Sequence, residues 1–189
     1  MKKSNKTKKV LLVLAHPDLK NSLANKTIIN EVKNLKNVQI RDLASLYPDF
    51  VIDVETEQKE LLGTDLIIFQ YPFYWYNVPP ILKQWMDKVF SYGFAYGGAG
   101  DKLKGKGFLL SITIGGPEDS YSPKGMNNFT ISELLTPLKQ TSNLVGMNFL
   151  EPIKSHGMIF IPGMYNKKGE VEARAKEHAK KLIDFIGKY

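Results

Sequence analysis

The chain contains no cysteine. That absence removes a disulfide scaffold, a thiolate zinc site and a cysteine nucleophile together. Histidine is almost as scarce. His16, His156 and His178 are the only three, and no two have the spacing of a metal site. Long apolar runs are missing too. Nothing approaches the ~18 uncharged residues of a membrane helix. Residues 10–15, behind a lysine-rich start, fall short of the ~7–15 residues of a secretory signal core. The expectation is a soluble cytoplasmic protein. No Gly-x-Ser-x-Gly elbow and no Walker phosphate loop occurs. Without metal, thiol or triad, a bound cofactor is the natural source of any reactivity.

What is present is ordinary globular material. The 189 residues are 43% hydrophobic and 24% charged, enough for one domain that buries ~70% of its unfolded surface. The net charge is +7, but five lysines lie in the first nine residues, Lys2, Lys3, Lys6, Lys8 and Lys9. Such a run reads as a solvated basic arm over residues 1–9, ahead of a single domain over 10–189. No RNP motif, helix-turn-helix or basic-aromatic stripe supports a nucleic-acid partner.

Hydrophobic periodicity orders the chain. Residues 10–15 form a continuous aliphatic run, which suits a strand buried on both faces. Ser22 caps a helix whose apolar face carries Ile28, Val32 and Leu35. Residues 38–43 read as a short strand, 55–62 as a helix stopped by Gly63, and 65–71 as a second buried strand. Pro79-Pro80 opens a helix with Ile81, Trp85 and Val89 inward. A fourth strand spans 107–114, a helix runs from Thr136-Pro137 to Val145, and a fifth strand spans 153–161. Val171, Ala175, Ala179, Leu182 and Ile186 mark the last helix. Strict alternation predicts a five-stranded parallel sheet, order 2-1-3-4-5, with helices on both faces.

In such a sheet, ligands bind outside the carboxyl ends of the strands, where strands 1 and 3 diverge. Three loops meet there. The first, His16 to Asn25, joins a buried strand to a helix N-terminus, a natural anion site. Ser22 alone could be a simple cap. The second, Phe73-Tyr74-Trp75-Tyr76, has four aromatics that cannot all face a core, leaving an apolar wall for a ring system. The third, Thr113-Ile114-Gly115-Gly116, lets backbone approach a ligand closely. His156, inside the fifth strand, and His178, beside an apolar stripe, read as structural.

These loops together resemble the NAD(P)H:quinone oxidoreductase family of flavodoxin-like flavoproteins. The similarity is greatest to its short branch, the potassium-efflux ancillary proteins and related general stress oxidoreductases. It covers roughly residues 10–165. It rests on His16-Pro17 with Ser22-Leu23-Ala24-Asn25, on Leu46-Tyr47-Pro48-Asp49-Phe50, on the long stretch from Gln70 through Trp75 and Pro80 to Phe90, and on Phe94-Ala95-Tyr96-Gly97 with Thr113 to Gly116. The resemblance implies a homodimer with a flavin at each interface, FMN favoured over FAD, and two-electron transfer from NAD(P)H to a quinone or similar acceptor. It implies that His16, Ser22, Leu23, Ala24 and Asn25 surround the flavin phosphate. Phe73, Tyr74, Trp75, Tyr76, Thr113, Ile114, Gly115 and Gly116 would hold the ring. Larger family members assist hydride transfer with a tyrosine and a histidine. Tyr121 falls on the tyrosine, but Asn127 stands at the histidine's position and cannot titrate. Both are weak catalytic candidates. The alternative role is a regulatory subunit of a potassium/proton antiporter in the membrane.

Overall fold

The computed structural model describes residues 7–189. Lys2, Lys3 and Lys6 of the expected basic arm lie outside them. Val10–Leu14 forms β1, with all five side chains buried. Val10, Leu12 and Leu14 join one apolar cluster, while Leu11 and Val13 join the other. A strand buried on both faces needs helices on both sides, and its neighbours run parallel. β1 pairs with β2 (Val38–Asp42) and with β3 (Leu66–Pro72), and β3 pairs with β4 (Gly107–Thr113), all in parallel. The sheet order is β2-β1-β3-β4-β5, with β6 attached to β4, the flavodoxin-like arrangement expected from the pattern.

One expected strand is different. In place of 153–161 there are two short pieces, β5 (Asn148–Phe149) and β6 (Ile153–Ser155). Phe108 lies opposite Phe149, yet Ser111 lies opposite Ile153. Three steps along β4 thus face four along its partner, an inserted residue of the bulge kind. Pro152 sits at the interruption, where its missing N–H would otherwise break the ladder. The strand ends at Ser155 because the chain then turns across the end of β4. Gly157 adopts φ +63°, and Met158 N donates to Ile114 O at 2.9 Å. His156 is therefore in a turn and not within a strand.

α1 (Leu23–Val32) and α7 (Lys168–Lys188) pack on one face, through Ile28, Val32, Val171, Ala175 and Leu182. The other face carries α2 (Leu43–Leu46), α3 (Val54–Leu62), α4 (Pro80–Val89), α5 (Ile131–Leu134) and α6 (Thr136–Leu144). Among the described residues, no helix is long and apolar enough to cross a membrane.

Both faces bury polar side chains, which are costly unless hydrogen-bonded. Under α3 and α4, the fully buried Glu57 accepts from Arg41 Nε at 3.0 Å, Tyr47 Oη at 2.6 Å and Trp85 Nε1 at 2.9 Å. Under α7, His178 is fully buried between Ser111 and Ser155. Burial, then the nearby Lys181, pushes its imidazole down to about 4 from 6.5. The unfolded chain therefore binds a proton that the native chain excludes. Stability from this residue is complete above about pH 6.5 and falls as pH drops toward about 4. Urea titrations should find a loss of about 2 kcal/mol between pH 7 and pH 5 from this group, reduced in His178→Gln. An equal pH dependence in that variant would assign the effect to other groups.

Candidate functional site

The carboxyl ends of β1, β3 and β4 open onto one cleft of about 420 Å³. Helices leave β1 and β3 toward opposite faces, so the crevice is a direct product of the strand order. Its polar end is built by the turn after β1. Ser22 caps α1, its Oγ accepting from Asn25 N at 3.2 Å. The amides of Leu23 and Ala24, in the first turn, have no intrahelical acceptor. His16 is buried at the rim, and Asp18 N donates to its Nδ1 at 3.1 Å. Nε2 therefore carries the ring proton. Burial lowers the imidazole pKa, so His16 is a neutral donor at pH 7. Asp18 also reaches the cleft, but its carboxylate is occupied by Asn21, at 2.7 Å from Nδ2.

The adjoining wall is more apolar. Phe73 and Tyr74 line it from the loop after β3, with Gly115 from the loop after β4. A Cβ added to Gly115 would meet only the Ile159 side chain, at ordinary contact distance of 3.7 Å. Packing within the chain does not demand glycine there, so the bare backbone keeps cleft volume open. Gly116 is different: its Cβ would press on Tyr121 Cε2 at 3.2 Å.

The expected residues divide. His16, Ser22, Leu23, Asn25, Phe73, Tyr74, Thr113 and Gly115 line the cleft together. Ala24 and Ile114 are buried behind it and can contribute only through their backbone. Trp75 and Tyr76 stand apart at the tip of a tight hairpin closed by Tyr74 N to Asn77 O at 3.1 Å and Asn77 N to Tyr74 O at 2.9 Å. Both have left-handed backbones, φ +47° and +63°, a strained choice for bulky side chains that favours glycine and asparagine. Trp75 is 91% exposed.

Tyr121 is half-buried, its ring 6.4 Å from Phe73 and 5.4 Å from His156. Burial raises its hydroxyl pKa, so it stays protonated. Asn127 is tied elsewhere: Tyr76 Oη donates to its Oδ1 at 2.9 Å, and its Nδ2 donates to Ser120 Oγ at 2.8 Å. The sequence reading missed Met158, Ile159 and Phe160, which close one wall. Extending the fifth strand to residue 161 hid them inside a supposed sheet. It also missed His156 as a neighbour of Tyr121. The Gly after His156 was the available signal for a turn.

Comparison with known proteins agrees with this fold. A family model described as a flavodoxin-like fold matches residues 8–182. The chain is 42% identical over 178 residues to the uncharacterized NAD(P)H oxidoreductase YrkL of Bacillus subtilis (strain 168), covering 94% of this chain and 97% of the relative. It is 39% identical over 176 residues to the glutathione-regulated potassium-efflux system ancillary protein KefF of Klebsiella aerogenes, covering 93% and 96%. Among solved structures, general stress protein 14 from Treponema denticola in complex with FMN superposes with a TM-score of 0.86 at 29% identity, over 95% of this chain and 98% of that one. By fold and by sequence, the chain belongs to the flavodoxin-like family.

Proposed function

We propose that the cleft holds FMN and that the chain is an NAD(P)H-dependent oxidoreductase delivering two electrons to a quinone or similar acceptor. The observation that carries this reading is the cleft's mixed chemistry, an anion-binding turn beside an aromatic wall. Ser22, neutral His16 and the free amides of α1 form donors suited to an anion such as a phosphate. Phe73, Tyr74 and Gly115 give an apolar wall for a ring. One helix N-terminus at the cleft offers one phosphate site, which suits a monophosphate flavin. The FMN named with the Treponema denticola structure supports the same choice, and the name of the YrkL relative supports NAD(P)H as electron source.

FMN supplies the capacity to accept a hydride and pass on two electrons. The chain's own residues bind and orient it. The Tyr121 hydroxyl, kept protonated by burial, offers one hydrogen bond to a developing charge. A second, regulatory role toward a potassium/proton antiporter is favoured by the KefF likeness. It requires that such an antiporter co-purify with the tagged chain. The exposed rings of Trp75, Tyr92 and Tyr96 suit a homodimer interface. Light scattering should then give twice the 21.4 kDa chain mass, and a single-chain mass would remove this proposal.

The catalytic reading is tested in two halves by stopped flow, reduction by NADPH and then reoxidation by menadione. Both should proceed, with ping-pong steady-state kinetics. Because Asn127 is held by Tyr76 and Ser120, Tyr121 has no titrating partner at that position. Tyr121→Phe should slow reduction by about 10–100-fold, the value of one hydrogen bond to a charge. A far larger loss would make Tyr121 a principal catalytic group. No turnover by the FMN-loaded wild type with either nicotinamide would refute the enzyme reading.

A further inference from the structure

An unbroken line of polar side chains crosses the apolar core beneath α1 and α7. Ser155 Oγ lies 2.8 Å from His178 Nδ1, and His178 Nε2 lies 2.8 Å from Ser111 Oγ. Ser111 Oγ is 2.6 Å from Gln70 Oε1, and Gln70 Nε2 is 2.9 Å from Asn25 Oδ1. Asn25 Nδ2 then reaches Thr113 Oγ1 at 3.0 Å and Ser22 Oγ at 3.3 Å. Gln70, Ser111, Asn25 and His178 are each 2% exposed or less. The proton count of each group gives this line a direction.

As the two amides stand, Gln70 and Asn25 both donate toward the cleft. Ser111 has a single proton, which goes to Gln70 Oε1. Its oxygen must then accept from His178, so the imidazole proton is on Nε2, and Nδ1 accepts from Ser155. At the cleft, Ser22 Oγ and Thr113 Oγ1 both accept from Asn25. Their own protons remain uncommitted, and both residues line the cleft. The reverse order satisfies the same atoms: the imidazole proton moves to Nδ1, both amides turn over, and Ser22 and Thr113 donate inward to Asn25. The line therefore has two polarities. Only the first leaves hydroxyl donors facing the ligand.

We infer that His178, four hydrogen bonds from the cleft, is a positioning residue whose Nε2–H form turns the Ser22 and Thr113 hydroxyls toward a phosphate monoester. The inference rests on the reading that the FMN phosphate lies at the start of α1. By linkage, phosphate and the Nε2–H tautomer favour one another, although no residue between them carries a formal charge. The N-cap serine is thus held as an anion donor from the far side of the sheet.

Two measurements test this. Long-range proton–nitrogen NMR on histidine-labelled wild type loaded with FMN should find His178 protonated at Nε2. A proton on Nδ1 would overturn the inference, and this readout needs no variant to fold. Affinities for FMN and riboflavin, which lacks the phosphate, should then be compared in wild type, His178→Leu and His178→Gln. The leucine variant should lose about tenfold of the preference for FMN over riboflavin, the scale of one hydrogen bond, with riboflavin affinity unchanged. Glutamine, whose Nε2 can donate to Ser111, should keep most of that preference. A folded His178→Leu with the full preference would overturn the inference while leaving the FMN reading intact. A wild type that binds riboflavin as tightly as FMN would remove the phosphate placement itself.

Discussion

Burial of β1 on both faces is the constraint from which the rest follows. Five consecutive aliphatic side chains cannot be hidden by one layer of helices. Leu11 and Val13 need cover from α3 and α4, and Val10, Leu12 and Leu14 need it from α1 and α7. Placing β1 between β2 and β3 satisfies both demands. The chain must then leave β1 toward one face and β3 toward the other. A crevice opens at their carboxyl ends because no connection crosses it. The site is thus a consequence of core packing, and its residues sit on turns anchored by the most buried strands.

The two cores are not equally apolar. On the α3–α4 face, the fully buried carboxylate of Glu57 and its three donors form a cluster closed on itself. On the α1–α7 face, the strands change character along their length. Leu66, Ile68 and Leu109 are succeeded on that face by Gln70, Ser111 and Thr113 as the cleft is approached. Buried polar groups cost free energy unless each is paired, and here each is paired with the next. The pairing ends at Ser22 and Thr113, where the cleft begins. The polar line therefore joins the burial of α7 to the chemistry of the cleft.

Much of this was legible in the sequence, for physical reasons. Aliphatic runs bounded by turns specify buried strands almost alone, and their alternation with amphipathic helices leaves few topologies. The strand-end loops stood out because His16, Ser22, the aromatic run and Gly115-Gly116 are poor core material. Other features stayed hidden. Residues 153–161 begin and end apolar, and Pro152, the polar run Lys154-Ser155-His156 and Gly157 are the signals of the inserted residue and the turn that place His156 beside Tyr121. Gln70 and Ser111 are single polar residues inside apolar runs, and their partners His178 and Asn25 are remote in sequence. Four adjacent aromatics gave no sign that a left-handed hairpin would send Trp75 outward while Phe73 and Tyr74 line the cleft.

Central to this picture is the proposal that the cleft holds FMN. It is tested most directly by the visible absorption spectrum of the purified chain, before and after incubation with flavins, with mass identification of whatever chromophore is released on denaturation. The account predicts a flavin spectrum and the release of one FMN per chain. A colourless protein that takes up no FMN, or one that releases FAD instead, would contradict it.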